Sequence, residues 1–260
     1  MKFTRTYSVR GSEINPDYTL KDYYLGMYFQ ECFAEYAASK GAAAYDVAKI
    51  GLTWITSDIR MEFFPPMPLW RDSIGVSVWI HKTGAARMFV NFKAECGNKT
   101  LAKGASIQLI ADMETHKPQK LGRIAGLFEI DSEHVFEGEH FDKIEQFDNG
   151  CCADFGMTQT TQTVRYDDLD FNMHLNNVRY IPRALEAVPI EYRLSHSLMG
   201  YRIKFEREAK FGDEITSICT KRGNSFTHRL YNAKSGISLC EMQTDWKPIK
   251  YLQTAEKISD

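Results

Sequence analysis

The sequence predicts an α+β fold in which two similar halves, each a long central helix wrapped by an antiparallel sheet, pack together as a pseudo-dimer. Three observations predict it. A helix-patterned run followed by several strand-like segments occurs twice along the chain. The strand-like segments are rich in β-branched and aromatic residues, with turn signals between them. The halves also correspond locally: DIRMEFFPPMPLWRDSIGV, from Asp58, aligns with GYRIKFEREAKFGDEITSI, from Gly200, once a single gap is allowed. Each copy has an arginine near its start and an aspartate just before the next strand. A helix followed by an antiparallel meander must bury its apolar face on that sheet, so each half is expected to be one sheet around one helix.

In the first half, YYLGMYFQECFAEYAASKG from Tyr23 to Gly41 has helical apolar spacing and ends at a glycine suited to a C-cap. Strands are expected over WITSDIRMEFF from Trp54, SIGVSVWIHKTG from Ser73, MFVNFKAEC from Met88 and LAKGASIQLIADM from Leu101. In the second half, NNVRYIPRALEAVPIEYRL from Asn176 reads as the corresponding helix. LMGYRIKFEREAKFGDEITSICTKRG from Leu198 reads as two long strands, and FTHRLYNAK from Phe226 with SGISLCEMQTDWKPI from Ser235 as a hairpin. Between the halves, DSEHVFEGEHFDKIEQFDNGCCADF is acidic and poor in aliphatics, as expected of a surface linker. The expected division is residues 1–130, a linker at 131–155, and residues 156–260. The vicinal Cys151 and Cys152 have no further ligands near them in sequence and are read as ordinary reduced thiols.

Length and composition fit this plan, since 260 residues at 43% hydrophobic content can bury a substantial core in either one large or two ordinary units. A formal net charge of -2 gives no global attraction to nucleic acid or to an anionic membrane, so neither is expected as a partner. Any acidic partner must be held by a local basic patch. No segment approaches the roughly 18 apolar residues needed to span a bilayer, and MKFTRTYSVRGSEINPDY contains no continuous apolar targeting run. The cysteines are scattered, without CxxC spacing or accompanying His pairs, which points to reduced thiols in a cytoplasm and away from a zinc site. Neither a metal nor a nucleotide cofactor is expected, because no ligand set or phosphate-cradling glycine loop is present.

Chemistry concentrates in DLDFNMHLNNVRY, Asp168 to Tyr180. From Leu169 to Asn176 apolar and polar residues alternate. In an extended segment that alternation puts Leu169, Phe171, Met173 and Leu175 on one face and Asp170, Asn172, His174 and Asn176 on the other. Carboxylate, carboxamide and imidazole together can take a proton, hold a reacting group and donate to a developing negative charge, the three tasks of a hydrolysis. The same pattern also suits a half-buried strand whose polar side faces water. Asn176 and Asn177 are favoured helix N-caps. The first backbone N–H groups of the helix they open lack intrahelical partners and lie at the positive end of its dipole, so they are candidate oxyanion donors. In the first half INPDYTLKDYYLG stands at this point, without such a row, so one active site per chain is expected.

DLDFNMHLNNVRYIPRALEAVP resembles the signature of the acyl-acyl carrier protein thioesterases, an Asp-x-Asn-x-His-x-Asn-Asn segment leading into a helix. IKFEREAKFGDEI resembles that family's Glu-containing strand, and FQECFAEYAASKG with LTWITSDIRMEFFPPMPLWRD resembles its N-terminal half, so nearly the whole chain is covered. The resemblance implies tandem hot-dog folds and hydrolysis of fatty acyl-acyl carrier protein to free fatty acid, which ends chain elongation. The partner it implies is an acyl carrier protein bearing a phosphopantetheine-linked acyl chain. Carried over residue by residue, the active positions are Asp170, Asn172, His174 and Glu208. Plant members carry a cysteine directly after this glutamate. Here Ala209 stands instead, so no thiol at that position can be required, and water attack with Glu208 or His174 as general base is expected. Asp170 would orient the His174 ring, cap the helix turn or hold the water. Without the resemblance, Glu208 would read as a solvated charge sharing a strand face with Lys204, Glu206 and Lys210.

An acyl chain needs an apolar cavity, and Met27, Phe29, Phe33, Trp54, Ile59, Met61 and Met88 in the first half are candidate walls, although such residues also serve as plain core. An acidic carrier would dock on basic residues: Lys117, Lys120 and Arg123 in THKPQKLGR, or Arg179 and Arg183 on the second helix. His81, His116, His196 and His228 are read as surface or packed imidazoles. The internal pseudo-dimer removes the usual need for pairing into a homodimer without forbidding it. Two other functions share the scaffold, a 3-hydroxyacyl-thioester dehydratase and a non-catalytic acyl-thioester-binding module; release of free thiol separates hydrolysis from both.

Overall fold

The computed structural model describes residues 1–136, 141, 144, 147 and 157–249. The first half consists of β1 (Phe3–Ser8), α1 (Tyr24–Ser39), α2 (Ala44–Ala48), β2 (Leu52–Phe63), β3 (Ser73–Thr83), β4 (Arg87–Cys96), β5 (Lys99–Asp112) and the short β6 (Pro118–Gln119). The second consists of β7 (Thr158–Thr163), α3 (Asn177–Leu185), α4 (Ile190–Ser195), β8 (His196–Phe205), β9 (Glu214–Arg222), β10 (Ser225–Asn232) and β11 (Ser238–Pro248). All strands join one sheet in the order β1-β3-β4-β5-β2-β8-β11-β10-β9-β7, with β6 paired to β5. Read inward from either end, the two halves follow the same path. They meet where β2 pairs antiparallel with β8, Arg60 standing opposite Arg202 at the centre of the seam. Gly200 belongs there because a Cβ would lie 2.4 Å from the Met61 carbonyl oxygen of the facing strand.

Helix α1 forms as expected. Leu25, Tyr28, Phe29, Cys32, Phe33 and Tyr36 are buried at helical spacing and pack into the core against the sheet. Phe29 stacks on Phe92 with ring centroids 4.3 Å apart. Gly104 on β5 leaves room for that stack, since a Cβ would come within 1.8 Å of the Phe92 ring. At its C-terminus Gly41 takes φ 68 and Ala42 N–H reaches back to Ala37 O, the expected left-handed cap.

Three features depart from the expectations. The second helix is two short ones, because Pro189 has no N–H to donate and its ring pushes the preceding residue out of helical geometry. Strands β1 and β7, FTRTYS and TQTTQT, were not foreseen; both are sheet edges, where polar sequence blunts further pairing and erases the usual apolar alternation. The start of the expected linker is anchored to the first sheet: Trp79 Nε1 and Asn91 Nδ2 donate to Glu133 O at 2.8 and 3.1 Å, and Asp131 N–H donates to Ile80 O at 2.9 Å. Most of the remaining acidic stretch, with Cys151 and Cys152, lies outside the described residues. Among the described residues no helix is long and apolar enough to cross a membrane.

One partly buried carboxyl makes stability pH-dependent. Burial, and then the neighbouring Asp17 carboxylate, push Asp22 up to about 7. Between its unfolded value near 3.9 and that folded value, the native state keeps a proton that the unfolded chain releases, so stability falls as pH rises through this window. Asp22→Asn is therefore expected to melt higher than the parent at about pH 8 and at the same temperature at about pH 4. Equal melting temperatures at the higher pH would refute this.

Candidate active site

The segment Leu169–Leu175 is a reverse turn, which corrects the reading of it as an extended face. Leu169 and Leu175 close it as an antiparallel bridge, Asp170 N–H donates to His174 O at 2.8 Å, and Met173 N–H donates to Asp170 O at 3.0 Å. Met173 takes the left-handed φ of 61 that such a turn requires. Asp170 drives the turn, its Oδ1 accepting from Asn172 N–H at 2.8 Å and His174 N–H at 3.4 Å, as aspartates at the head of Asx turns do. Burial holds the Asp170 carboxyl above its ordinary range, against the lowering effect of those two N–H groups. The apolar partners of the alternation therefore do not share a buried face: Leu175 is buried, whereas Phe171 and Met173 are 68% and 60% exposed.

Backbone pairing of the turn with the chain beyond β8 brings the reacting groups together. His174 forms a bridge with Lys210, and Leu175 N–H donates to Ala209 O at 2.8 Å. Glu208 accordingly lies in the loop after β8, which ends at Phe205, and not on a strand face with Lys204 and Glu206. Its Oε2 is 3.4 Å from Nδ1 of His174. The imidazole is largely enclosed, with 12% of its side chain exposed, and the carboxylate is half-exposed at 40%. Ala209 acts through its backbone alone, its N–H donating to Tyr180 Oη at 3.1 Å.

Asn172 and the start of α3 complete the polar face. Thr53 Oγ1, at the beginning of β2 in the other half, donates to Asn172 Oδ1 at 3.0 Å, so the carboxamide NH₂ is the group left to donate. Asn176 caps α3 as expected, its Oδ1 accepting from Val178 N–H at 3.2 Å while its backbone O accepts from Arg179 N–H at 2.8 Å. These bonds narrow the expected helix donors to Asn177 N–H.

The first half repeats the backbone bonds of this turn without its chemistry. Asn15 N–H donates to Thr19 O, Tyr18 N–H to Asn15 O with Tyr18 at φ 65, and Leu20 N–H to Pro68 O. Those bonds align Asn15, Asp17, Thr19 and Met67 with Asp170, Asn172, His174 and Glu208. Thr19 and Met67 offer neither a base nor an acid.

Sequence reasoning missed two contributors to the site, Thr53 and His116. Nδ1 of His116 lies 3.1 Å from Oε2 of Glu208, and its ring centroid is 5.6 Å from that of His174. Both contributors come from the first half, and no local pattern marks them.

Other candidates are placed as follows. Phe29, Phe33, Ile59, Met61 and Met88 are buried in the core cluster with Trp54 packed against it, and Met27 is half-buried on α1. Lys117, Lys120 and Arg123 are exposed around β6, next in sequence to His116. Arg183 is not a surface cation: it is 7% exposed and its Nη2 donates to the buried Asp168 at 2.7 Å, because an enclosed carboxylate must be compensated. Arg179 stays half-buried at a polar pocket of about 450 Å³ that Arg165, Asp168 and Tyr23 also line. Among the described residues no group of three or more His, Cys, Asp or Glu side chains is placed to hold a metal ion.

Residues 155–248 match the family model of the acyl-ACP thioesterase C-terminal domain. The chain is 26% identical to the chloroplastic dodecanoyl-[acyl-carrier-protein] hydrolase of Cinnamomum camphora, over 95% of this chain and 68% of that protein. Its fold matches the 12:0-ACP thioesterase of Umbellularia californica with a TM-score of 0.84 at 23% identity, over 95% of this chain and 94% of that one. It also matches an acyl-ACP thioesterase from Bacteroides thetaiotaomicron with a TM-score of 0.80 at 22% identity, over 95% of this chain and 98% of that one. Residues 155–248 thus carry the acyl-ACP thioesterase C-terminal domain, and over nearly its whole length the chain is similar in sequence and in tandem hot-dog fold to acyl-ACP thioesterases.

Proposed function

We propose that this protein hydrolyses the thioester of fatty acyl-acyl carrier protein, releasing free fatty acid and ending chain elongation. The observation that carries this reading is the convergence of His174 and Glu208, 3.4 Å apart, beside the capped start of α3. Because Nδ1 of His174 faces the carboxylate, Nε2 is the nitrogen available to take a proton from water, with Glu208 fixing the tautomer and steadying the imidazolium. Water then attacks the thioester carbonyl. The resulting oxyanion receives hydrogen bonds from Asn177 N–H and the Asn172 NH₂, each such donor being worth on the order of 10² to 10³ in rate. Collapse expels the pantetheine sulfur as thiolate, a leaving group with pKa near 8.5 that needs little acid assistance. Asp170 shapes the turn that presents both Asn172 and His174.

The acyl chain is assigned to the first half, along Phe29, Phe33, Trp54, Ile59, Met61 and Met88, with Met27 at its margin. The carrier is assigned to the exposed Lys117, Lys120 and Arg123, whose charge complements an acidic partner and which follow His116 in sequence. The cytoplasm is the proposed location, supported by free thiols at Cys32, Cys96, Cys219 and Cys240. The test is free-thiol release from acyl carrier protein loaded with acyl chains of graded length. Turnover with a length preference supports the reading, and saturable binding without thiol release would overturn it.

A further inference from the structure

The turn joining β5 to β6 delivers an imidazole to Glu208 from the opposite half of the molecule. Local hydrogen bonds close that turn: Asp112 Oδ1 accepts from Glu114 N–H, Thr115 N–H and Thr115 Oγ1, while His116 N–H donates to Asp112 O at 2.9 Å. His116 itself sits at a left-handed φ of 55, where glycine or asparagine would serve the backbone at least as well. The imidazole is explained by what it faces. Its Nδ1 is 3.1 Å from Oε2 of Glu208, nearer than the 3.4 Å of His174, and both rings address the same oxygen.

Glu208 has reason to need this hold. It belongs to a loop, and its side chain is 40% exposed. A carboxylate free to rotate into solvent would orient the His174 ring only part of the time, and misplacement of about 1 Å at such a group can cost 10²-fold in rate. An ionised carboxylate can only accept, so the ring facing it must carry its proton on Nδ1. We propose that His116 is a positioning residue of the hydrolysis, whose Nδ1–H holds the Glu208 carboxylate against His174 and makes the active site a joint product of both halves. This rests on the thioesterase reading. Thr53, which bonds Asn172 from the same half, gives that joint construction a second, independent contact.

The experiment compares kcat and KM of the parent chain, His116→Ala and His116→Asn on acyl-acyl carrier protein. Alanine is expected to lower kcat about 10- to 100-fold with KM changed by less than about threefold. Asparagine is expected to recover most of kcat, because its amide nitrogen takes the place of Nδ1 and its backbone tolerates the left-handed turn. A residue serving only the fold of the hairpin would instead lower the melting temperature and leave kcat alone. Full kcat in His116→Ala, or an asparagine variant no better than alanine, would overturn the proposal. A measurement that needs no turnover separates it from the functional reading: nitrogen NMR of the imidazoles in Glu208→Gln. Movement of the Nδ1 signals of both His116 and His174 is expected, and an unmoved His116 refutes the contact. A parent chain that releases no thiol would refute the hydrolase reading, leaving the NMR result to decide the contact.

Discussion

Glutamine in place of Glu208, or alanine in place of His174, is expected to lower kcat for thioester hydrolysis by about 10² to 10⁴-fold while leaving KM within a few-fold of the parent. The two substitutions fail for different reasons. Without the imidazole the turn loses the base assigned to the attacking water. Glutamine keeps the size of Glu208 but can present its NH₂ to Nδ1, which favours the tautomer with the proton on Nε2, where the acceptor must be. Neither side chain belongs to the apolar core assigned to the acyl chain, so binding should be spared. Steady-state kinetics on a single acyl-acyl carrier protein reads this directly. Either variant retaining kcat within about threefold of the parent would refute the assigned roles.

The largest expected loss of stability lies one turn of chain away. Asp168 is 2% exposed and is held by Nη2 of Arg183, itself 7% exposed, at 2.7 Å. Arg183→Ala leaves that buried carboxylate with only the exposed Arg165 guanidinium, 3.4 Å away, as a charge partner, so the loss should approach the about 3 to 5 kcal/mol that breaking a buried pair costs. For a chain of this size the melting temperature should fall by roughly 10 °C. The double variant Asp168→Leu, Arg183→Met removes both buried charges and should lose less than the single one, because the penalty comes from the under-compensated carboxylate. The pH dependence has a definite sign. Burial alone would raise Asp168, but the Arg165 backbone N–H and guanidinium together with Arg183 outweigh it and hold the carboxyl below its ordinary range. A depressed folded value contributes stability above the unfolded value near 3.9 and loses it as pH falls through the folded value. The difference between Arg183→Ala and the parent should thus shrink under strong acid. A single variant costing less than about 1 kcal/mol at neutral pH would contradict the burial argument. In the first half the same position pairs Tyr28 with Glu13, a neutral donor in place of the guanidinium.

The duplication was legible because it is written in local terms. Helix α1 follows from the spacing of Leu25, Tyr28, Phe29 and Cys32, and the single-gap alignment of Asp58 onward with Gly200 onward matches the pairing of Arg60 with Arg202. The polar edge strands gave no such signal. The catalytic turn shows how one pattern can arise from two geometries. Strict alternation from Leu169 to Asn176 suits a strand, yet an aspartate two residues before Asn172 is also the mark of an Asx turn, and the local hydrogen bonds favoured the turn. Pro189 likewise marked a helix end that the surrounding apolar residues obscured. His116 and Thr53 were out of reach for a different reason. Thr53 meets Asn172 across 119 positions, and only the β2–β8 seam makes them neighbours.

Whether His174 and Glu208 work as one unit is the question on which the functional reading turns, and a double-mutant cycle on kcat answers it. His174→Ala, Glu208→Gln and the double variant are compared on one acyl-acyl carrier protein substrate. The double variant is expected to be about as slow as His174→Ala alone, because an orienting carboxylate is worth nothing once its imidazole is gone. Losses that multiply, with the double variant slower than either single one by the full product, would show two groups acting separately and would contradict the paired mechanism.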